Sequence, residues 1–119
     1  MPTKILVVED NWDFREILIS ILHAIGYEVI EAAAAPEGIE KALAESPNLI
    51  IMDLGLPGMD GIEATAKLKG HPKTAAIPVI AYTVWGEDFK ERAMGAGIAE
   101  FVPKTSSPQV LREVIGRLL

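Results

Sequence analysis

The stretch I-I-M-D-L-G-L-P-G-M-D-G, Ile50 to Gly61, decides how the rest of the chain is read. An apolar run ends on a carboxylate, Asp53, and a turn rich in Gly and Pro follows at once. Asp is a poor strand residue and costly to bury. Its place at the tip of a core-type strand needs either a capping role in the loop or a chemical one. For a lone Asp capping is the default, so the other strand ends must decide.

Outward from this stretch, two hydrophobic periods alternate. Lys4 to Val8 is a short, nearly continuous apolar run, as expected for a strand buried on both faces. Asn11 offers an N-cap, and Phe14, Ile17, Leu18, Ile21, Leu22 and Ile25 recur at helical spacing until Gly26 stops the helix. Tyr27 to Glu31 is a second strand, and Pro36 opens a helix ending near Ser46-Pro47. Asn48 to Met52 is the third strand and runs into Asp53. Gly61 to Leu68 reads as a helix, Pro78 to Tyr82 as a strand, and Gly86 to Met94 as a helix with a thin apolar face. Ile98 to Val102 is the last strand. Ser107-Pro108 then starts a helix with Val110, Leu111, Val114, Ile115 and Leu118 on one stripe. This alternation predicts an α/β fold, (βα)5, with a doubly wound parallel five-stranded sheet, helices on both faces and right-handed crossovers.

The 119 residues suit a single domain, 1–119, with no linker and no room for an output domain. A hydrophobic share of 50% with 24% charged residues marks a folded globular chain. No apolar run approaches the roughly 20 residues a spanning helix needs, and the start lacks a signal peptide. The absence of cysteine removes disulfide and thiolate chemistry, and a cytoplasmic protein without membrane contact is expected. A net charge of -6 argues against direct nucleic-acid binding.

In such a sheet, ligands bind beyond the carboxyl ends of the strands, where strand order reverses. The first strand delivers Glu9 and Asp10, the third Asp53 and the fourth Thr83, while Lys104 follows the fifth. If the order is 2-1-3-4-5, the three acids share one crevice, with Thr83 and Lys104 on its other side. Carboxylates so close repel one another, and a hard dication such as Mg²⁺, which takes oxygen ligands and keeps several waters, relieves this. Lys104 adds a compact cation and Thr83 a hydroxyl donor. The set suits a phosphoryl group, whose transfer needs mainly positioning and charge neutralisation. Asp53 then stands at the strand tip as a nucleophile that becomes an acyl phosphate. Gly55 leaves its backbone carbonyl open to a metal, and Pro57, Gly58 and Gly61 turn the chain back into a helix.

Four segments in order, V-V-E-D-N (Val7 to Asn11), D-L-G-L-P-G-M-D-G (Asp53 to Gly61), Thr83 and A-M-G-A-G-I-A-E-F-V-P-K (Ala93 to Lys104), resemble the receiver domain of two-component response regulators. That group includes the single-domain chemotaxis regulator, and the resemblance spans essentially the whole chain. It implies a flavodoxin-like sheet in the order 2-1-3-4-5 and a phosphorylation-activated signalling switch of a phosphorelay. Asp53 matches the phosphoacceptor, charged by a sensor histidine kinase or a histidine phosphotransfer protein. Asp10 matches a direct Mg²⁺ ligand, Glu9 an acid acting through metal-bound water, and Gly55 the residue lending its carbonyl. Thr83 matches the hydroxyl that moves to the phosphoryl group, Lys104 the ammonium that contacts it, and Phe101 an aromatic that turns inward on activation. The face of the fourth helix, fifth strand and fifth helix would carry a downstream output protein, and the resemblance allows dimerisation on activation. A receiver helps its own phosphorylation and hydrolysis but turns over no external substrate, so no enzyme is expected. The chain departs from the family pattern at Val84, bulkier than usual, at Trp85, at Thr105 where Pro is common, and at Phe101 in place of Tyr.

Two other readings stand beside this one. An aspartate-nucleophile phosphatase would carry an acid two residues after the nucleophile, and Gly55 is there instead. A receiver-like adaptor that binds partners without being phosphorylated is kept open by Val84, Trp85 and Thr105. Trp12 and Trp85 read as packing residues, with Trp12 placed to cover one side of the crevice. Asp60 reads as a turn or cap residue, and His23 and His71 have no partners at metal-ligand spacing.

Overall fold

Each short apolar run becomes a strand and each amphipathic stretch a helix. The computed structural model describes residues 2–119. The order is β1 (Lys4–Val8), α1 (Trp12–Ile25), β2 (Glu28–Ala32), α2 (Ala35–Glu45), β3 (Leu49–Met52), α3 (Gly61–Lys69), β4 (Val79–Thr83), α4 (Lys90–Ala96), β5 (Glu100–Pro103) and α5 (Pro108–Leu118). A single 3-10 turn, Glu87–Phe89, leads into α4. The five strands are parallel in the order β2-β1-β3-β4-β5, as the alternation and the resemblance imply.

Successive strand residues point to opposite faces, so the sheet feeds two cores. Leu6, Val8, Ile50, Met52, Val79 and Ala81 pack with α2, α3 and α4 on one side. Ile5, Val7, Leu49, Ile51 and Ile80 pack with Leu18 and Leu22 of α1 and Leu111, Val114 and Ile115 of α5 on the other. Both faces being covered explains why β1 and β3 read as continuous apolar runs.

The predicted bounds slip where helix caps claim the first residues of the next strand. Gly26 ends α1 in the left-handed region at φ 103°, and Tyr27 N then donates to Leu22 O at 3.1 Å. Tyr27 thus belongs to the cap, and β2 begins at Glu28. The same geometry recurs at Gly97, φ 112°, where Ile98 N donates to Ala93 O at 3.1 Å. Ile98 is therefore not part of β5. The expected helix from Gly86 starts as a 3-10 turn because Gly86 is extended and has no side chain to cap the first turn.

The helical stripes are also narrower in burial than in sequence. On α1 only Leu18 and Leu22 are buried, while Phe14, Ile17 and Ile25 are 41%, 59% and 39% exposed. Val110 of α5 is likewise exposed. A helix lying on a sheet edge buries one line of contacts, and the flanks of a wide stripe stay in solvent.

Two caps match expectation. Asn11 Oδ1 accepts from Phe14 N at 3.0 Å, and Asp60 Oδ1 accepts from Glu63 N at 2.8 Å. Between β3 and α3 the turn closes tightly, with Gly61 N donating to Leu54 O at 2.9 Å. A Cβ on Gly61 would lie 2.2 Å from Asp53 O and 2.8 Å from Leu54 Cα, both backbone atoms that cannot step aside. Gly61→Ala is therefore expected to cost roughly 3 kcal/mol or more in urea unfolding. Gly26→Ala, which meets nothing within 4 Å and is strained only by its positive φ, is expected to cost about 1 kcal/mol. Equal losses at both positions would contradict the close approach.

Candidate functional site

Strand register sets the site. Val8 of β1 pairs with Met52 of β3, so Glu9 and Asp53, the next residues of each chain segment, leave the sheet side by side. Asp53 N donates to Val8 O at 3.0 Å, extending the ladder to the strand tip. From there α1 crosses to one face and α3 to the other, which opens a crevice at the point where strand order reverses. Glu9 is 3% exposed and Asp53 7%, whereas Asp10 is exposed. One carboxylate oxygen from each of Glu9, Asp10 and Asp53 lies within 4.8 Å of the others.

Lys104 enters from the far side. Its backbone N donates to Thr83 O at 2.9 Å, carrying the β4–β5 pairing one residue past the strand, and Ser106 N returns to Pro103 O at 3.0 Å. The Lys104 ammonium, with its side chain 4% exposed, donates to Glu9 Oε1 and, at 3.3 Å, to Asp53 Oδ2. Glu9 Oε2 accepts from Asn11 N at 3.1 Å, and Asp53 Oδ1 accepts from Gly55 N at 3.2 Å. Arg15 fixes the backbone: its Nη1 donates to Glu9 O at 2.8 Å while its Nε donates to Glu31 at 3.0 Å. Burial raises the Glu9 carboxyl to about 7, the bonds from Lys104 and Asn11 pull against that rise, and the Asp53 charge adds to it.

Glu9, Asp10, Asp53 and Lys104 are thus brought together as the sequence predicted. Thr83 makes no side-chain hydrogen bond with them among the described residues. It is fully buried as the last residue of β4, and its Oγ1 accepts from Trp85 N at 3.1 Å, among the described residues its hydrogen bond. Phe101 is half-buried against the core shared by α2, α3 and α4, opposite Ala81 in register. Trp12 is 62% exposed and packs in neither core, so the packing role expected of it is not met. Trp85 does pack: its indole Nε1 would stand 2.8 Å from a Cβ on Gly55, and its ring centroid is 4.4 Å from that of Phe89. Gly55 thereby leaves room for the close approach of the Trp85 indole.

Arg15, Asn11 as a partner of Glu9, and Phe14 escaped the sequence reading. Arg15 follows Asp10 by five residues, a spacing that carries no signal until α1 is docked. Phe14 read as core, yet its ring lies against Lys104, with Nζ 4.3 Å from the ring centroid.

The donor set can be tested against Mg²⁺. The clustered ligand atoms are all carboxylate oxygens, the chain has no cysteine, and neither histidine belongs to the cluster. Hard oxygen donors at this density fit a small dication and not a soft metal.

Comparison with known proteins agrees. Residues 5–116 match the family model described as the response regulator receiver domain. The chain is 36% identical to the phosphate regulon transcriptional regulatory protein PhoB of Pseudomonas aeruginosa, over 96% of its own length and 49% of that protein. It therefore spans about half the length of that relative, but it covers 88% of the polar-differentiation response regulator DivK of Brucella anthropi, at 33% identity. Chemotaxis protein CheY4 of Vibrio cholerae superposes with a TM-score of 0.93 at 26% identity, over 100% of both chains. The receiver domain of a sensor histidine kinase from Pseudomonas aeruginosa, solved with a magnesium ion coordinated in its active-site cleft, superposes with a TM-score of 0.91 at 26% identity, covering 99% of this chain and 98% of that one. With a matching family model along nearly its whole length and the same doubly wound sheet, the chain belongs to the receiver domains of two-component response regulators.

Proposed function

We propose that this receiver is a phosphorylation-activated switch in which Asp53 accepts a phosphoryl group from a phosphohistidine on a sensor kinase or phosphotransfer protein. The observation that carries the reading is the pairing of buried Asp53 with Lys104, 3.3 Å away, beside two further carboxylates at the sheet's switch point. One Asp53 carboxylate oxygen forms a bond to phosphorus while the bond from phosphorus to the donor nitrogen breaks, and the imidazole leaves with the electron pair. Mg²⁺ held by Asp10, Asp53, the Gly55 carbonyl and, through water, Glu9 would supply charge neutralisation for the phosphoryl oxygens.

The residues of the chain do the rest. Gly55 N orients the Asp53 carboxylate. Lys104, freed from Glu9 and Asp53, turns its ammonium to the phosphoryl oxygens. Thr83 Oγ1 accepts from Trp85 N, so donation of its hydroxyl hydrogen to them would link the site to the segment leading into α4. The added charge of about -1.5 to -2 biases the α4-β5-α5 surface, with Phe101 at its centre, toward an output partner. The transfer modifies the protein itself, so the domain acts as a phosphoacceptor in the cytoplasm and not as an enzyme on external substrates.

Intact mass after incubation with acetyl phosphate is expected to rise by about 80 Da, one phosphoryl group, only with Mg²⁺ present and not in Asp53→Asn. Folded wild-type protein that gains nothing at any donor level would move the reading to an adaptor that binds partners without being phosphorylated, a reading that Trp85 packed on Gly55 favours.

Metal binding should carry a proton signature. The folded-state value of Glu9, about 7, lies above its ordinary 4.5. Its contribution to stability in the metal-free protein is therefore full below the unfolded value and is lost as pH rises through the folded one. A dication reverses that preference because it favours the carboxylate and displaces the proton. Calorimetric Mg²⁺ affinity is expected to rise between about pH 5 and pH 8, with a shallower rise in Glu9→Gln. Parallel curves for the two proteins would disconnect Glu9 from the metal.

A further inference from the structure

We propose that Phe14 is a positioning residue, whose ring face holds the Lys104 ammonium in place while the carboxylates around it change partners. The role rests on the phosphoacceptor reading above and names a residue that reading leaves out.

Three observations carry it. Lys104 Nζ lies 4.3 Å from the centroid of the Phe14 ring, well inside cation–π range, and the Lys104 side chain is 4% exposed, where such contacts are strongest. Phe14 itself is 41% exposed, so burial in the core does not account for it. The third is connectivity. Phe14 N donates to Asn11 Oδ1, Asn11 N donates to Glu9 Oε2, and Lys104 donates to Glu9 Oε1. Glu9, Asn11, Phe14 and Lys104 thus form a closed circuit in which the helix cap that anchors Phe14 also anchors Glu9.

Chemistry supplies the reason for a ring. Both anions now paired with Lys104, Glu9 and Asp53, are the groups a dication would engage. When they turn to the metal, the ammonium needs a partner that restrains it without competing for its charge. A carboxylate would hold it away from the incoming phosphoryl oxygens; an aromatic quadrupole attracts the cation yet leaves its N–H donors free. During transfer from acetyl phosphate, Asp53 forms the oxygen–phosphorus bond, acetate leaves with the electron pair, and Lys104 sits where the phosphoryl charge must be met.

The test compares wild type, Phe14→Leu and Phe14→Tyr in the full chain, each shown to be folded by thermal melting. Leu keeps apolar cover but has no quadrupole, whereas Tyr keeps the ring. With Mg²⁺ and acetyl phosphate, the phosphorylation rate is expected to fall about fivefold in Phe14→Leu and to stay near wild type in Phe14→Tyr. In metal-free protein, the Lys104 CεH₂ proton signals should lie upfield of the other lysines through the ring current, remain so in Phe14→Tyr, and return to the common position in Phe14→Leu. Equal rates in all three proteins, or Lys104 signals unshifted in wild type, would overturn the role. The two readings fail separately: a wild type that gains no mass sinks the phosphoacceptor reading, while one that gains mass as fast as Phe14→Leu sinks the positioning role alone.

Discussion

Two carboxylates, Glu9 and Asp53, are held at the neighbouring ends of β1 and β3 almost out of water, and a single ammonium lies between them. Parallel pairing of Val8 with Met52 makes this juxtaposition unavoidable. Like charges about 5 Å apart repel by roughly 3 kcal/mol at an effective dielectric of 20. The molecule answers that repulsion in three ways. Lys104 bridges the pair, backbone N–H groups of Asn11 and Gly55 each take one oxygen, and Glu9 gains affinity for a proton. All three responses come from the chain itself, and the two oxygens bonded to Lys104 are the least committed of the set, since one ammonium is shared between two carboxylates.

Most of this was legible in the sequence, because the signals were of the kind that survive without coordinates. Apolar runs ending in Glu9-Asp10 and in Asp53 identify strand tips, and a parallel sheet brings strand tips to one edge. Lys104 could be placed because it follows directly on a strand. What was not legible depends on how helices rotate when they dock. Phe14, Ile17 and Val110 lie on apolar stripes yet remain in solvent, and periodicity cannot say which line of a stripe meets the sheet. Thr83 shows the complementary limit: its position at the end of β4 was readable, but its hydroxyl's partner, Trp85 N, is a matter of local turn geometry.

Strand bounds failed for a related reason. Tyr27 and Ile98 are good strand residues by composition, and both are claimed by the cap of the preceding helix. A Gly in the left-handed region obliges the next N–H to turn back toward the helix. Local hydrogen-bond demand thus outranks side-chain preference at these joints.

The thin apolar face of α4 has a consequence for the cost of motion. Among its residues only Ala93 is fully buried, and Met94 is 43% exposed. Lifting a methyl group out of an apolar contact costs about 1 kcal/mol, a fraction of what would be needed to shift β1 or β3 with their rows of Ile, Leu and Val. The domain is therefore unevenly packed: shifting β1 or β3 would disrupt two dense apolar cores, whereas α4 is held by few buried contacts.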